Sequence, residues 1–230
     1  MLRRILCERK MTMAEFELLI KNGTIVDGTG SPAFAGDVAV TGDRIAAVGR
    51  LEGARAAKVI DASGKVVCPG FIDTHSHSDL LVLDAPEIEP KVRQGVTTEV
   101  IGQDGMSLAP VSDRDLLPWK KAMAGLEGNY DVEWTWRSVA EYLARIEEMD
   151  LGPNFAFLAP HGNIRMVVMG LDNRQPTQDE QKAMEKLLER CIEEGAFGLS
   201  TGMIYPPGWD NFVDFVVLLA DAPGLVLVEN

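Results

Sequence analysis

The chain has 230 residues, 46% of them hydrophobic and 25% charged, which suits one or two globular domains with a real core and excludes a disordered polypeptide. A formal net charge of −13 excludes the basic footprint of a nucleic-acid binder. No stretch approaches about 18 uncharged apolar residues, so no membrane span is expected. Three scattered cysteines, Cys7, Cys68 and Cys191, form neither a CxxC pair nor a disulfide framework, which fits a reducing, cytoplasmic setting.

Residues 1–14 are basic but lack an apolar stretch ending in a small-residue cleavage site. They are expected to be disordered or to precede the true start, which Met11 or Met13 would supply. Residues 15–68 read as short strands joined by glycine turns. Phe16–Lys21 and Thr24–Asp27 flank Asn22-Gly23, a hairpin signal, and Gly42-Asp43 joins Asp37–Val40 to Arg44–Val48. Lys58–Asp61 and Lys65–Val67 complete a small β-sandwich-like module.

After Pro69-Gly70 strand and helix signals alternate, which makes residues 69–230 an α/β domain of βα units around a parallel sheet. Strands are expected at Val66–Ile72, Thr97–Ile101, Phe155–Leu158, Ala196–Ser200 and Leu225–Val228. Helices are expected at Val139–Met149 and Asp179–Glu194, the second capped by Thr177 or Gln178 and ended by Gly195. Trp119, Trp134 and Trp136 are expected to cover the sheet rather than to line a cofactor box. Cys68 and Cys191 read as core thiols rather than nucleophiles.

The strongest chemical signal is Pro69-Gly70-Phe71-Ile72-Asp73-Thr74-His75-Ser76-His77-Ser78-Asp79. In extended backbone, residues i and i+2 share a face, so His75 and His77 converge with backbones about 6–7 Å apart. That spacing lets two imidazoles bind one divalent ion at about 2 Å each. Asp73 and Asp79 are candidates for orienting the rings from behind.

A strand ending in PGFIDTHSHSD, preceded by VIDASGKVV (59–67), resembles the amidohydrolase superfamily. GVTTEVIGQDGMSLAPV (95–111) and GAFGLSTGMIYPPG (195–208) narrow the resemblance to its D-aminoacylase, or N-acyl-D-amino-acid deacylase, branch. The resemblance covers about Phe16 to Gly208. It implies a β module leading into a (β/α)8 TIM-type barrel, of which the five strand candidates supply the first half. It implies Zn2+, as one or two divalent ions, with His75 and His77 as ligands.

Asp104, in Gly102-Gln103-Asp104-Gly105, stands where many relatives carry a metal-bridging cysteine. An aspartate can also bind Zn2+, giving a harder site; the other reading is an ordinary turn aspartate. His161 follows a strand candidate on the face where barrel sites are built. It, Ser200 and Tyr205 are assigned to the substrate pocket, the alternatives being a loop histidine and a tight βα turn.

The implied activity is metal-dependent hydrolysis of the amide bond of an N-acyl-D-amino acid. The resemblance also implies further histidines from the fifth and sixth strands and a late aspartate as general acid/base. The sequence holds only His75, His77 and His161, so none of its residues is assigned as that acid/base. The chain therefore reads as incomplete, and a second chain finishing the barrel is one expected partner. The alternatives are a non-catalytic fragment, or half of a split enzyme, and a hydantoinase- or dihydroorotase-like cyclic amidohydrolase.

Overall fold

The computed structural model of the chain describes residues 15–202 and 226–229. The chain divides into two compact units, Met1–Pro69 and Gly70–Asn230.

The first unit holds a five-stranded mixed sheet built from β1 (Phe16–Ile25), β2 (Phe34–Thr41), β3 (Arg44–Gly49), β4 (Ala56–Asp61) and β5 (Val66–Val67). The order is β3-β2-β1-β4, with β5 also beside β1. Gly42-Asp43 makes the expected two-residue turn between β2 and β3, with Gly42 at φ +58°.

Asn22-Gly23 is not a hairpin. Strand β1 runs straight through it, and both halves pair antiparallel with the same neighbour, Ile20 opposite Val38 and Gly23 opposite Gly36. The register shift between them is a bulge, with Asn22 left-handed at φ +63°. Asn22 is held there by its N–H on Asp37 Oδ1 (2.8 Å) and its side-chain amide on Asp61 Oδ1 (3.0 Å). A Cβ at Gly23 would lie 2.6 Å from Val67, so only glycine lets β5 approach β1.

The second unit holds a parallel sheet of five strands: β6 (Phe71–Asp73), β7 (Val96–Ile101), β8 (Asn154–Pro160), β9 (Gly198–Thr201) and β10 (Val226–Glu229). Each strand pairs with the next in the chain, giving the order β10-β9-β8-β7-β6. Strand order equal to chain order, without a reversal, is that of a barrel wall; an open doubly wound sheet would switch direction. The expected strand Val66–Ile72 is two strands. Pro69-Gly70 separates β5, which joins the first sheet, from β6, which begins the second.

Helices α1 (Leu81–Asp84), α2 (Glu89–Val92), α3 (Leu116–Glu127), α4 (Val139–Glu147), α5 (His161–Met169) and α6 (Gln178–Glu193) lie between the strands. Thr177 caps α6 through a capping box with Glu180, and Ser138 caps α4 in the same way with Glu141. Met184, Leu188 and Cys191 form the buried stripe of α6 at helical spacing. Cys191 is a core thiol that burial pushes up to about 12, whereas Cys68 is exposed, not buried as expected.

The core of this unit runs through an aromatic stack. Trp134 stacks on Trp136, Trp136 meets Tyr142, and Tyr142 meets Phe157 on β8, each pair of rings 5.4 Å apart. Trp119 and Trp136 donate their indole N–H groups to Ser107 and Leu108 carbonyls, at 2.7 and 2.8 Å, so packing and polar anchoring coincide. Tyr142 donates 2.7 Å to the Asp79 carbonyl and thereby ties the core to the segment that follows β6.

Candidate metal centre

The alternation of His75-Ser76-His77-Ser78 sorts these residues onto two faces. Ser76 and Ser78 are buried, and both donate to Glu99 of β7, Ser78 at 2.7 Å. Lys91 neutralises this carboxylate at 3.3 Å and also pairs with Asp73. The Lys91 ammonium holds the Asp73 carboxyl below its usual range. Strand β6 ends at Asp73, yet burial still alternates beyond it: Ser76 and Ser78 point inward while His75 and His77 lie toward the open side.

Asp104 comes to the same face from the end of β7. Three of the four residues of its turn are left-handed, Gly102 (φ +80°), Asp104 (φ +58°) and Gly105 (φ +69°). A Cβ on Gly102 would lie 2.2 Å from the Leu158 carbonyl oxygen, so the turn closes on β8 only with glycine there. Ser200 clamps the turn from β9. It accepts the Gly105 N–H at 3.1 Å and donates to the Gly102 carbonyl.

The three candidate ligands meet. His75 Nε2 and His77 Nε2 are 3.3 Å apart, and Asp104 Oδ2 lies 3.1 Å from His77 Nε2 and 3.5 Å from His75 Nε2. Tetrahedral zinc with bonds of roughly 2.0–2.1 Å separates its ligand atoms by about 3.3–3.4 Å. The donor set therefore has the spacing and the chemistry of three zinc ligands. His75 is exposed and the other two are half-buried, so solvent or substrate can reach a fourth position.

Three carboxylates lie around the two rings: Asp73, Asp79 and, unforeseen from the sequence, Glu127. Asp73 accepts the His75 backbone N–H at 3.2 Å. Asp79 is fully buried, accepts the Gly102 N–H at 3.0 Å and receives the Ser107 hydroxyl. Burial, reinforced by Glu127, pushes the Asp79 carboxyl well above its usual range. The acid beside the His77 ring is Glu127, at the end of α3, with Oε1 3.6 Å from Nδ1. Glu127 raises the His77 imidazole above its ordinary value. No local motif marks Glu127; it lies 50 positions along the chain from His77, among ordinary helix residues.

His161 opens α5 directly after β8 and is 2% exposed. Burial, with Arg165 nearby, lowers its imidazole to about 4. Its Nδ1 lies 3.3 Å from Thr201 Oγ1. Ser200 is buried in the clamp just described, and Tyr205 lies outside the described residues.

Residues 58–206 match the amidohydrolase family. N-acyl-D-glutamate deacylase of Alcaligenes xylosoxydans xylosoxydans is 40% identical over 195 residues, covering 84% of this chain and 38% of that protein. A D-aminoacylase structure, from work on its binuclear metal centre, superposes with a TM-score of 0.75 at 38% identity, covering 84% of this chain and 40% of its own. N-acyl-D-glutamate deacylase from Bordetella bronchiseptica, complexed with zinc and a phosphonate mimic of the tetrahedral intermediate, gives 0.75 at 39% identity with the same coverage. The chain thus spans about two-fifths of the length of these relatives.

Proposed function

This chain belongs to the amidohydrolase family, and we propose that it supplies the first part of a zinc-dependent site that hydrolyses N-acyl-D-amino acids to a carboxylate and a free D-amino acid. The observation that carries this reading is the convergence of His75, His77 and Asp104 at the spacing of zinc ligands. The deacylase relatives supply the substrate class.

When bound, zinc lowers the pKa of a coordinated water and polarises the scissile carbonyl. The residues of this chain hold and orient. His75 and His77 would hold the metal through Nε2, and Asp104 through a carboxylate oxygen. Ser200 fixes the Asp104 turn, and Ser76 and Ser78 fix the faces of the histidines. His161, held neutral by burial, and Tyr205 are assigned to the wall against the acyl amino acid; Ser200, expected on that wall, acts on it through the Asp104 turn that it clamps. Among the described residues β10 is the last strand of the sheet, and further βα units would add beside it, from a continuation of this polypeptide or from a second chain. Residues 15–68 are read as a sandwich-like module. Among the described residues no helix is long and apolar enough to cross a membrane, and a cytoplasmic setting is part of the same reading.

The test is complementation. The chain is incubated with Zn2+ and N-acetyl-D-methionine, alone and with the C-terminal portion of the D-aminoacylase relative added in trans. The expected result is amine release in the complemented mixture, lost in the double variant His75→Ala, His77→Ala. A complemented mixture that opens cyclic amides and leaves N-acyl-D-amino acids intact would overturn the assignment.

A further inference from the structure

Glu127 occupies a costly place. It is 4% exposed, so its charge is removed from water. It is also the last residue of α3, where the helix dipole disfavours a negative charge. One oxygen, Oε2, accepts the Leu80 backbone N–H at 3.2 Å, which anchors the side chain across to the segment carrying His77. The other, Oε1, is buried without a hydrogen-bond partner. His77 Nδ1 is likewise buried without one. These two atoms lie 3.6 Å apart, and a closure of about half an ångström makes a normal N–H···O bond. On the opposite side of the same ring, Nε2 faces Asp104 and His75.

We propose that Glu127 is a positioning residue: it accepts from His77 Nδ1–H, fixes the ring's tautomer and plane, and so turns the Nε2 lone pair to the metal. A neutral imidazole carries one proton, and the nitrogen that holds it cannot bind a metal. The Oε1 atom that faces Nδ1 has an open acceptor position, which places the proton on Nδ1. The consequence for metal affinity rests on the zinc reading above. The tautomer does not.

Glu127→Gln separates positioning from mere structure. Its amide oxygen keeps the Leu80 N–H bond. Its amide nitrogen then faces Nδ1 as a donor, which favours the proton on Nε2, the wrong side for a ligand. Two measurements on the full chain read this out. The first is the ring tautomer in metal-free protein labelled with 15N-histidine, by long-range 1H–15N correlation at about pH 9, well above the ordinary imidazole range. Three histidines give three spin systems, assigned with His75→Ala and His161→Gln. The second is zinc affinity by competition with a chromogenic chelator.

The expected result is Nδ1–H at His77 in the wild type, Nε2–H in Glu127→Gln, and zinc binding weaker by about 10–100-fold in the variant at near-unchanged melting temperature. Nε2–H at His77 in the metal-free wild type overturns the proposal, and so does wild-type zinc affinity in Glu127→Gln. If that variant fails to fold, the wild-type tautomer decides alone. A chain with Nδ1–H at His77 that binds no zinc would strike the metal reading and leave this one standing.

Discussion

Acidification should destabilise the second unit through His161, and the structure sets the size of the effect. The imidazole is held neutral, at about 4 in the folded chain against 6.5 unfolded, because burial and Arg165 oppose its charge. The unfolded state therefore binds the extra proton first. The stabilisation is fully present above pH 6.5 and is lost as pH falls toward 4, at about 1.4 kcal/mol per pH unit within that window. Between pH 7 and pH 5 the loss is about 2 kcal/mol, a large share of a typical domain's stability. His77 and Asp79 shift in the opposite direction, so the effect is read as a difference. Urea unfolding of the wild type and of His161→Gln at pH 7, 6 and 5 should give lines that converge by about 2 kcal/mol as pH falls. Parallel lines would refute the argument that burial keeps His161 neutral.

Thr177→Ala removes one half of the capping box on α6 and should cost about 1 kcal/mol, read from the urea midpoint. Gly102→Ala combines a φ of +80° with a Cβ 2.2 Å from the Leu158 carbonyl oxygen. It should cost on the order of 1–3 kcal/mol and weaken zinc binding, because the turn that must shift carries Asp104. Unchanged stability and zinc affinity in Gly102→Ala would show that the close approach to β8 does not set the site.

What the sequence reveals depends on how local the determinant is. The placement of His75 and His77 is legible because alternation is a property of neighbours and persists past the end of β6: Ser76 and Ser78 are buried on Glu99 and the histidines follow. The α6 cap is legible for the same reason, since Thr177 and Glu180 are three residues apart. Asn22-Gly23 misleads because the local signal for a reversal is overridden by pairing: β2 receives both halves of β1, and the left-handed asparagine becomes a bulge. Pro69-Gly70 hides a strand boundary inside one apolar run, because β5 and β6 join different sheets. The role of Ser200 as a clamp and the approach of Glu127 to His77 are long-range, 95 and 50 residues along the chain, and no spacing rule carries them. A buried acid at a helix C-terminus is the one physical anomaly that could have marked Glu127, and it needs the structure to be seen.

The central claim is that His75, His77 and Asp104 together hold a divalent metal. The most direct test is zinc content per chain after gel filtration, in the wild type and in the triple variant His75→Ala, His77→Ala, Asp104→Ala. The account predicts about one zinc per wild-type chain, as three converging donors with an open fourth position require, and close to none in the folded triple variant. A triple variant that retains wild-type zinc, or a folded wild type that binds none, would contradict it.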